Sequence, residues 1–357
     1  MKIKHVVLAI ALGAFFASCE NDDNGGESLP LGAYENGILV VNEGPFQNGS
    51  GTISFLSDDL ETNEAAIYNK VNNKDLGNVI QSIGFADNTA YVIANVSNTI
   101  EVINRNTFES EGTIDADLSN PRYFVAVNGK GYVTNWGDTS DETDDFIAVI
   151  NLSTNTVEST IPVALGPEAI VAKGNTIYVA HQGAFGTNSI VSVIDVTSED
   201  ITKTLEVGKR PNSLVLDAND NIWVLASGGS SWPVPEDESA GVLSEINTST
   251  NEVVTTINFN GVEHPSFLNI DGENLYYNLG KDVYTLKTTD DTLPTSSYVT
   301  HTATSLYGMD VYNGKLYLAD ALDYASNGSL TIYDLNTQAV DKTFTVGLNP
   351  NGVYFNE

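Results

Sequence analysis

Five aromatic residues are the strongest sign of chemistry in this chain. Phe46, Trp136, Phe185, Trp232 and Tyr324 each stand beside or close to Gly, Asn or Ser, in segments that lack a strand or helix period. Rigid rings set among small polar residues make a recognition composition, because they offer contact area at little cost in side-chain entropy. Polar groups join them, Arg122, Glu168, Arg210, His264 and Asn349 at the links between the repeating units described below, and Asn95 and His181 in the segments after a repeat's second strand. Such a set suits a large ligand with an apolar middle and a hydrogen-bonding edge. Glycans also stack on aromatics and bond to amides, so composition does not choose between them.

Catalytic signatures are missing. The chain has no Gly-x-Ser-x-Gly elbow, no His-Glu-x-x-His, no phosphate-binding loop and no Cys-x-x-Cys. The reading is therefore a binding protein rather than an enzyme. Glu168 with His181 and His264 imitates at most a metal-dependent lactonase or lyase site. The two histidines lack ligand spacing, and ordinary hydrogen-bonded loop histidines are the favoured reading. Asp138, Asp141, Glu142, Asp144 and Asp145 lie in one segment and could hold Ca2+ through oxygen. Without the ordered spacing of a calcium loop, a solvated acidic loop is favoured, and no cofactor is required.

The elements that must position these residues form a repeat. A phrase X-Pro-x-x-apolar, a polar turn and apolar-Tyr-Val-x-Asn/Ala returns about seven times. Each copy continues through a loop to apolar-x-Val-Ile-Asp/Asn-x-x-Thr. Clear copies begin at Pro121, Pro167, Pro211 and Pro265, weaker ones near Gln81 and Leu306, and a truncated one at Pro350. Short β-branched and aromatic segments divided by Asn-Gly and Asp-Gly turns are strands. Four of them per copy make a β-propeller blade. The expected fold is all-β, a single seven-bladed propeller over 37–357. The strand from Pro350 to Phe355 completes the blade begun by Ile38–Asn42, closing the ring by pairing the two ends of the chain. The turns on one face are tight, as at Asn128-Gly129. The long segments Asn42–Ser50, Asn135–Asp145, His181–Asn188, Ser227–Ala240 and Asp320–Asn327 gather on the other. Trp223 follows the strand pattern and belongs to the core.

The first eighteen residues differ. Lys2 and Lys4 precede an apolar run from Val6 to Phe16, too short to span a bilayer, so residues 1–18 read as a secretory signal. Cys19, the single cysteine, follows Ala17-Ser18 and is the expected lipidation site, anchoring the protein to a membrane without a spanning helix. Residues 19–36 begin acidic and rich in Gly and Asn, and read as a flexible tether. The net charge is −32, and becomes −34 once the two leader lysines are removed. That excludes nucleic acid and anionic lipid head groups as natural partners.

Tyr132-Val133-Thr134-Asn135 is the literal phrase of YVTN-repeat propellers, and Val193-Ile194-Asp195-Val196-Thr197 and Ile332-Tyr333-Asp334-Leu335-Asn336-Thr337 match their third strand and turn. The chain resembles this YncE-like group from Gly37 to Glu357. The opening Val40-Val41-Asn42-Glu43-Gly44-Pro45-Phe46 with Gly51-Thr52-Ile53-Ser54 resembles Bacteroidetes surface propeller lipoproteins, including the BtuG-type cobalamin-capturing group. The acidic residues after Cys19 are similar to the export signal of such lipoproteins. The resemblance implies outer-membrane anchoring and surface exposure. It also implies a corrinoid ligand, whose cobalt an imidazole could ligate, and delivery to a TonB-dependent transporter. Protein-interaction or glycan-binding propellers would share the same first blade.

Overall fold

The computed structural model describes residues 32–46, 48–232 and 234–357. Cys19, the leader and most of the tether lie outside the described residues. Seven four-stranded antiparallel sheets follow one another along the chain. Six are continuous in sequence. In the seventh, Pro350–Asn356 pairs with Gly37–Asn42, which pairs with Thr52–Ser57 and then Asn63–Glu64. The last strand is thus the innermost strand of blade 1, and the ring closes as the repeat predicts.

Burial explains the phrase. Second strands such as Ile222–Ala226 are buried throughout, whereas outer strands such as Glu252–Asn258 alternate with solvent. The repeated Tyr of the second strand is buried, and its hydroxyl reaches the next blade. Tyr91 bonds to Asn155 Oδ1 at 3.2 Å and Tyr178 to Asn251 Oδ1 at 2.6 Å. The Asp/Asn-x-x-Thr phrase builds the turn that receives them. Asn151, Asp195, Asn247 and Asp334 each accept backbone N–H groups two or three residues on. The side chain thereby replaces bonds that the turning backbone cannot make to itself. Trp223 is fully buried, its indole N–H donating to Asp217 at 3.3 Å.

The end of the expected tether is corrected. Tyr34 is 7% exposed, packs edge-on against Phe55 and Phe108, and its N–H donates to Asn106 at 2.9 Å. Its ring is worth more buried than solvated, which fixes residues 32–36 to the propeller. A helix, Ile67–Asn72, interrupts the link from blade 1 to blade 2. It is held by Tyr68, whose hydroxyl donates to the buried Glu101 at 2.5 Å.

One device recurs at the rim. The residue after the second strand donates its N–H to the residue just before the first strand of the same blade. Asn95 bonds to Val79, Trp136 to Asn120, Gln182 to Gly166, Ser227 to Arg210, Ala321 to Ser305 and Glu43 to Asn349. Five of these acceptor residues, Val79, Asn120, Gly166, Arg210 and Asn349, have left-handed backbones. A register shift then follows in the first strand of all seven blades. A bulge bends a strand and re-aims its side chains. Here it lies at the rim, beside the mouth of the central channel.

Candidate functional site at the channel mouth

Antiparallel pairing places the start of each first strand beside the end of the second: Pro121 faces Asn135, and Phe146 faces both Asn135 and Pro162. The long loops and the blade links therefore share one end of the ring. The residues that follow Ile80, Pro121, Pro167, Pro211, Pro265, Leu306 and Pro350 at the start of the seven inner strands are Gln81, Arg122, Glu168, Asn212, Ser266, Tyr307 and Asn351. Four of the long loops carry the exposed aromatics. Phe46 is 70%, Phe185 79%, Trp232 80% and Tyr324 52% exposed, and no other aromatic among the described residues is comparably exposed.

Two clusters organise the mouth. In the first, Arg122 donates from Nε and Nη2 to the two oxygens of Glu168, at 3.0 and 2.7 Å. Its guanidinium also lies 4.0 Å from the centroid of Trp136. Trp136 is anchored by its indole N–H to the Pro167 carbonyl at 3.0 Å, and Phe185 stands edge-on to it at 6.0 Å. Burial works against the arginine's charge, but Glu168 outweighs it, and the guanidinium is held above its ordinary value. In the second cluster, Tyr307 donates to the Glu43 carboxylate at 3.1 Å and Asn351 Nδ2 to Glu43 Oε1 at 3.2 Å. Tyr324 is edge-on to Tyr307 at 5.5 Å. Burial pushes the Glu43 carboxyl up, and the Tyr307 bond, the charge of Arg122 and the Asn351 amide partly restore it.

Of the polar residues expected at the face, Arg122 and Glu168 come together. Arg210 lies between the loops bearing Phe185 and Trp232: its N–H donates to Asn188 and its carbonyl accepts from Ser227. His264 Nδ1 lies 2.8 Å from the Ser227 carbonyl, with Nε2 3.5 Å from Glu238. Three expectations are corrected. His181 is 0% exposed, bonded to the Ala164 carbonyl at 2.8 Å and to Ser192 at 2.9 Å; burial pushes its imidazole down to about 4. Asn95 is 8% exposed and donates to the Pro121 carbonyl at 3.1 Å. Asn349 is 9% exposed and donates to the Gly44 carbonyl at 3.2 Å. These three serve the rim corner, where turning backbone leaves polar groups that need partners.

Glu43 was missed as a site residue. It lies in the first-blade phrase, but only the ring brings it to Tyr307 and Asn351, which are distant in sequence. The acidic loop spends its carboxylates on itself: Asp138 accepts from Ser140, Asp141 from Thr143, and Asp144 from the Asp138 N–H. Among the described residues no group of three or more His, Cys, Asp or Glu is placed to hold a metal ion.

Beneath the mouth the channel opens into a cavity of about 560 Å³ between the inner strands of all seven blades. Its lining includes Glu168, Tyr123, Asn212, Phe267, Asp310 and Tyr354. Burial pushes the Tyr123 phenol up to about 12, with Glu168 adding to the effect.

Residues 36–321 match the family described as Domain of unknown function (DUF5074). The chain belongs to this family. The DUF5074 match ends within blade 7, and the closing strand Pro350–Asn356 lies beyond it. No curated protein matches this DUF5074 chain in sequence. In structure it is similar to the periplasmic gluconolactonase PpgL of Pseudomonas aeruginosa (12% identity, 90% of this chain and 98% of that one, TM-score 0.61). It is also similar to BamB from Moraxella catarrhalis (12% identity, 91% and 89%, TM-score 0.56) and to Kuenenia stuttgartiensis hydrazine synthase (14% identity, 76% and 91%, TM-score 0.56). At such identities the likeness is one of fold, which hosts many functions.

Proposed function

We propose that this DUF5074 propeller is a lipid-anchored binding module, not an enzyme, that captures a ligand across the channel mouth. The observation that carries this reading is the placement of Phe46, Phe185, Trp232 and Tyr324 on loops of four blades at one end of the ring, all more than half exposed. Exposed aromatic area is unfavourable in water unless a partner covers it. Arg122, Glu168, Glu43, Tyr307 and Asn351 supply a fixed polar floor among them. A wide, flat ligand with an apolar body and amide edges fits this arrangement, and a corrinoid is the leading candidate. Anchoring at Cys19 to the outer membrane would hold the mouth at the cell surface, where a TonB-dependent transporter could receive the ligand.

The test is calorimetric titration of the mature protein with cyanocobalamin, followed by the Phe185→Ala/Trp232→Ala double variant. Saturable binding that falls at least tenfold in the variant, with unfolding unchanged, supports the reading. Absence of heat at high micromolar ligand removes the corrinoid, and unchanged affinity in the variant removes the mouth.

A further inference from the structure

A second site lies below the mouth, in the central cavity. Among the described residues only two charged side chains line this cavity, Glu168 and Asp310, and both are acids. Glu168 is neutralised by both nitrogens of the Arg122 fork. Asp310 has no such partner. Its Oδ2 accepts the Val353 N–H at 3.0 Å, and no cationic side chain approaches it among the described residues.

Of the four aromatic residues in the lining, Phe124 stacks its ring on Tyr91, and Tyr123, Phe267 and Tyr354 share the cavity with this carboxylate. Phe267 is held there against its backbone preference, with φ at 58°. A bulky residue in the left-handed region is strained, and such strain persists only where the surroundings impose it. Met309 adds a polarisable thioether to the same wall. At the upper end, Asn351 spends its amide nitrogen on Glu43 and the carbonyls of Ile80 and Gln81, while its buried Oδ1 has no donor.

An uncompensated carboxylate beside aromatic faces calls for a cation with an apolar part. One carboxylate cannot furnish the several oxygen ligands a divalent metal needs. We infer that the central cavity is a binding site for an organic ammonium ion, with Asp310 as its counter-ion and Tyr123, Phe267 and Tyr354 around its apolar part. A volume of about 560 Å³ accommodates a small amine with room for water. The site is separate from the aromatic rim and does not rest on the identity of the ligand held there.

Ligand binding should follow ionisation of Asp310, whose carboxyl burial pushes up to about 7. The titratable groups around it are the phenols of Tyr354 and Tyr123, both raised and so neutral at neutral pH, and Glu168, paired with Arg122. The experiment is calorimetry on the mature protein with choline and butylammonium as probes. The neutral choline analogue 3,3-dimethylbutan-1-ol and CaCl2 are controls. Saturable binding of at least one ammonium is expected at pH 8, about tenfold weaker at pH 6, with no binding of the neutral analogue. Asp310→Asn, which keeps the bond to Val353, should weaken binding at least tenfold, and Phe267→Ala several-fold. Trp232→Ala should leave it unchanged, which separates this site from the mouth. Absence of binding by both ammonium probes, equal binding by Asp310→Asn, or binding of Ca2+ in place of the amines would overturn it.

Discussion

Arg122 and Glu168, the second residues of two adjacent inner strands, form a two-pronged ion pair at 3.0 and 2.7 Å beneath the Trp136 ring. Both side chains are largely buried, at 14% and 7% exposure. The pair ties blade 3 to blade 4 at the mouth and holds the guanidinium against the rim tryptophan. A buried pair is worth little against an apolar replacement, but breaking it leaves a charge stranded. Glu168→Ala should therefore cost about 3 kcal/mol. Arg122→Met/Glu168→Leu should cost clearly less than the two single changes added together. Urea unfolding of the four proteins reads this, and additive losses would show that the pair does not act as a unit.

His181 makes stability depend on pH in one direction. Burial depresses its native pKa to about 4, below the ordinary 6.5. Its contribution is intact above the unfolded value and is lost as pH falls from 6.5 towards 4, because the unfolded chain takes up the proton first. His181→Gln should flatten that part of the stability curve by about 3 kcal/mol, read from urea unfolding between pH 4 and pH 7.

Asp145 acts oppositely. Burial pushes its carboxyl up to about 6, one oxygen accepting the Gly166 N–H and the other buried without a donor. A native value above the unfolded one gives a contribution present below pH 3.8 and lost as pH rises through 6. Asp145→Asn should therefore stabilise the protein by about 1 kcal/mol at pH 8 and not at pH 4. Thermal melts at the two pH values check it; equal effects would place the penalty elsewhere.

The rim corners should differ sharply in tolerance. At Gly166, φ is 66° and an added Cβ would lie 2.0 Å from the Ala184 nitrogen. Gly166→Ala must push away the loop that carries Phe185, at more than about 2 kcal/mol. Arg210 holds a similar backbone, φ 57°, and among the described residues only its backbone is hydrogen-bonded. Arg210→Gly should change stability by less than about 1 kcal/mol in either direction. Chemical denaturation of both variants measures the contrast.

Removing residues 350–357 takes the inner strand from blade 1 and exposes the edge formed by Gly37–Asn42. The shortened chain should lose cooperative unfolding and bind a dye for exposed apolar surface. A sharp, native-like transition would show that the closing strand is dispensable.

Much of the fold was legible because its signals are local. A Tyr-Val strand, an Asp/Asn-x-x-Thr turn and a Pro opening each report on a few neighbouring bonds, and seven copies reinforce one another. The aromatic loops were legible for the converse reason: Phe46, Phe185, Trp232 and Tyr324 break the repeat. Glu43, Asp310 and Phe267 were not singled out. Glu43 meets Tyr307 across 264 residues, and nothing near Asp310 in sequence tells that no cation will reach it. His181, Asn95 and Asn349 look like ligands in a list of polar residues. Only the corner geometry shows them buried, with His181 bonded at both ring nitrogens and the two amide N–H groups committed to backbone carbonyls.

The sequence alone determined the blade, its seven-fold repetition and the end of the ring on which the non-repeating residues gather. These follow from strand periodicity and turn chemistry, which act over a few residues. Ring closure decided the rest: which acid is paired with Arg122, which acid is left alone in the cavity, and which histidine is sealed from water. Those outcomes depend on charges and acceptors brought within a few ångströms from distant blades, where burial rather than residue type sets the energy of each group.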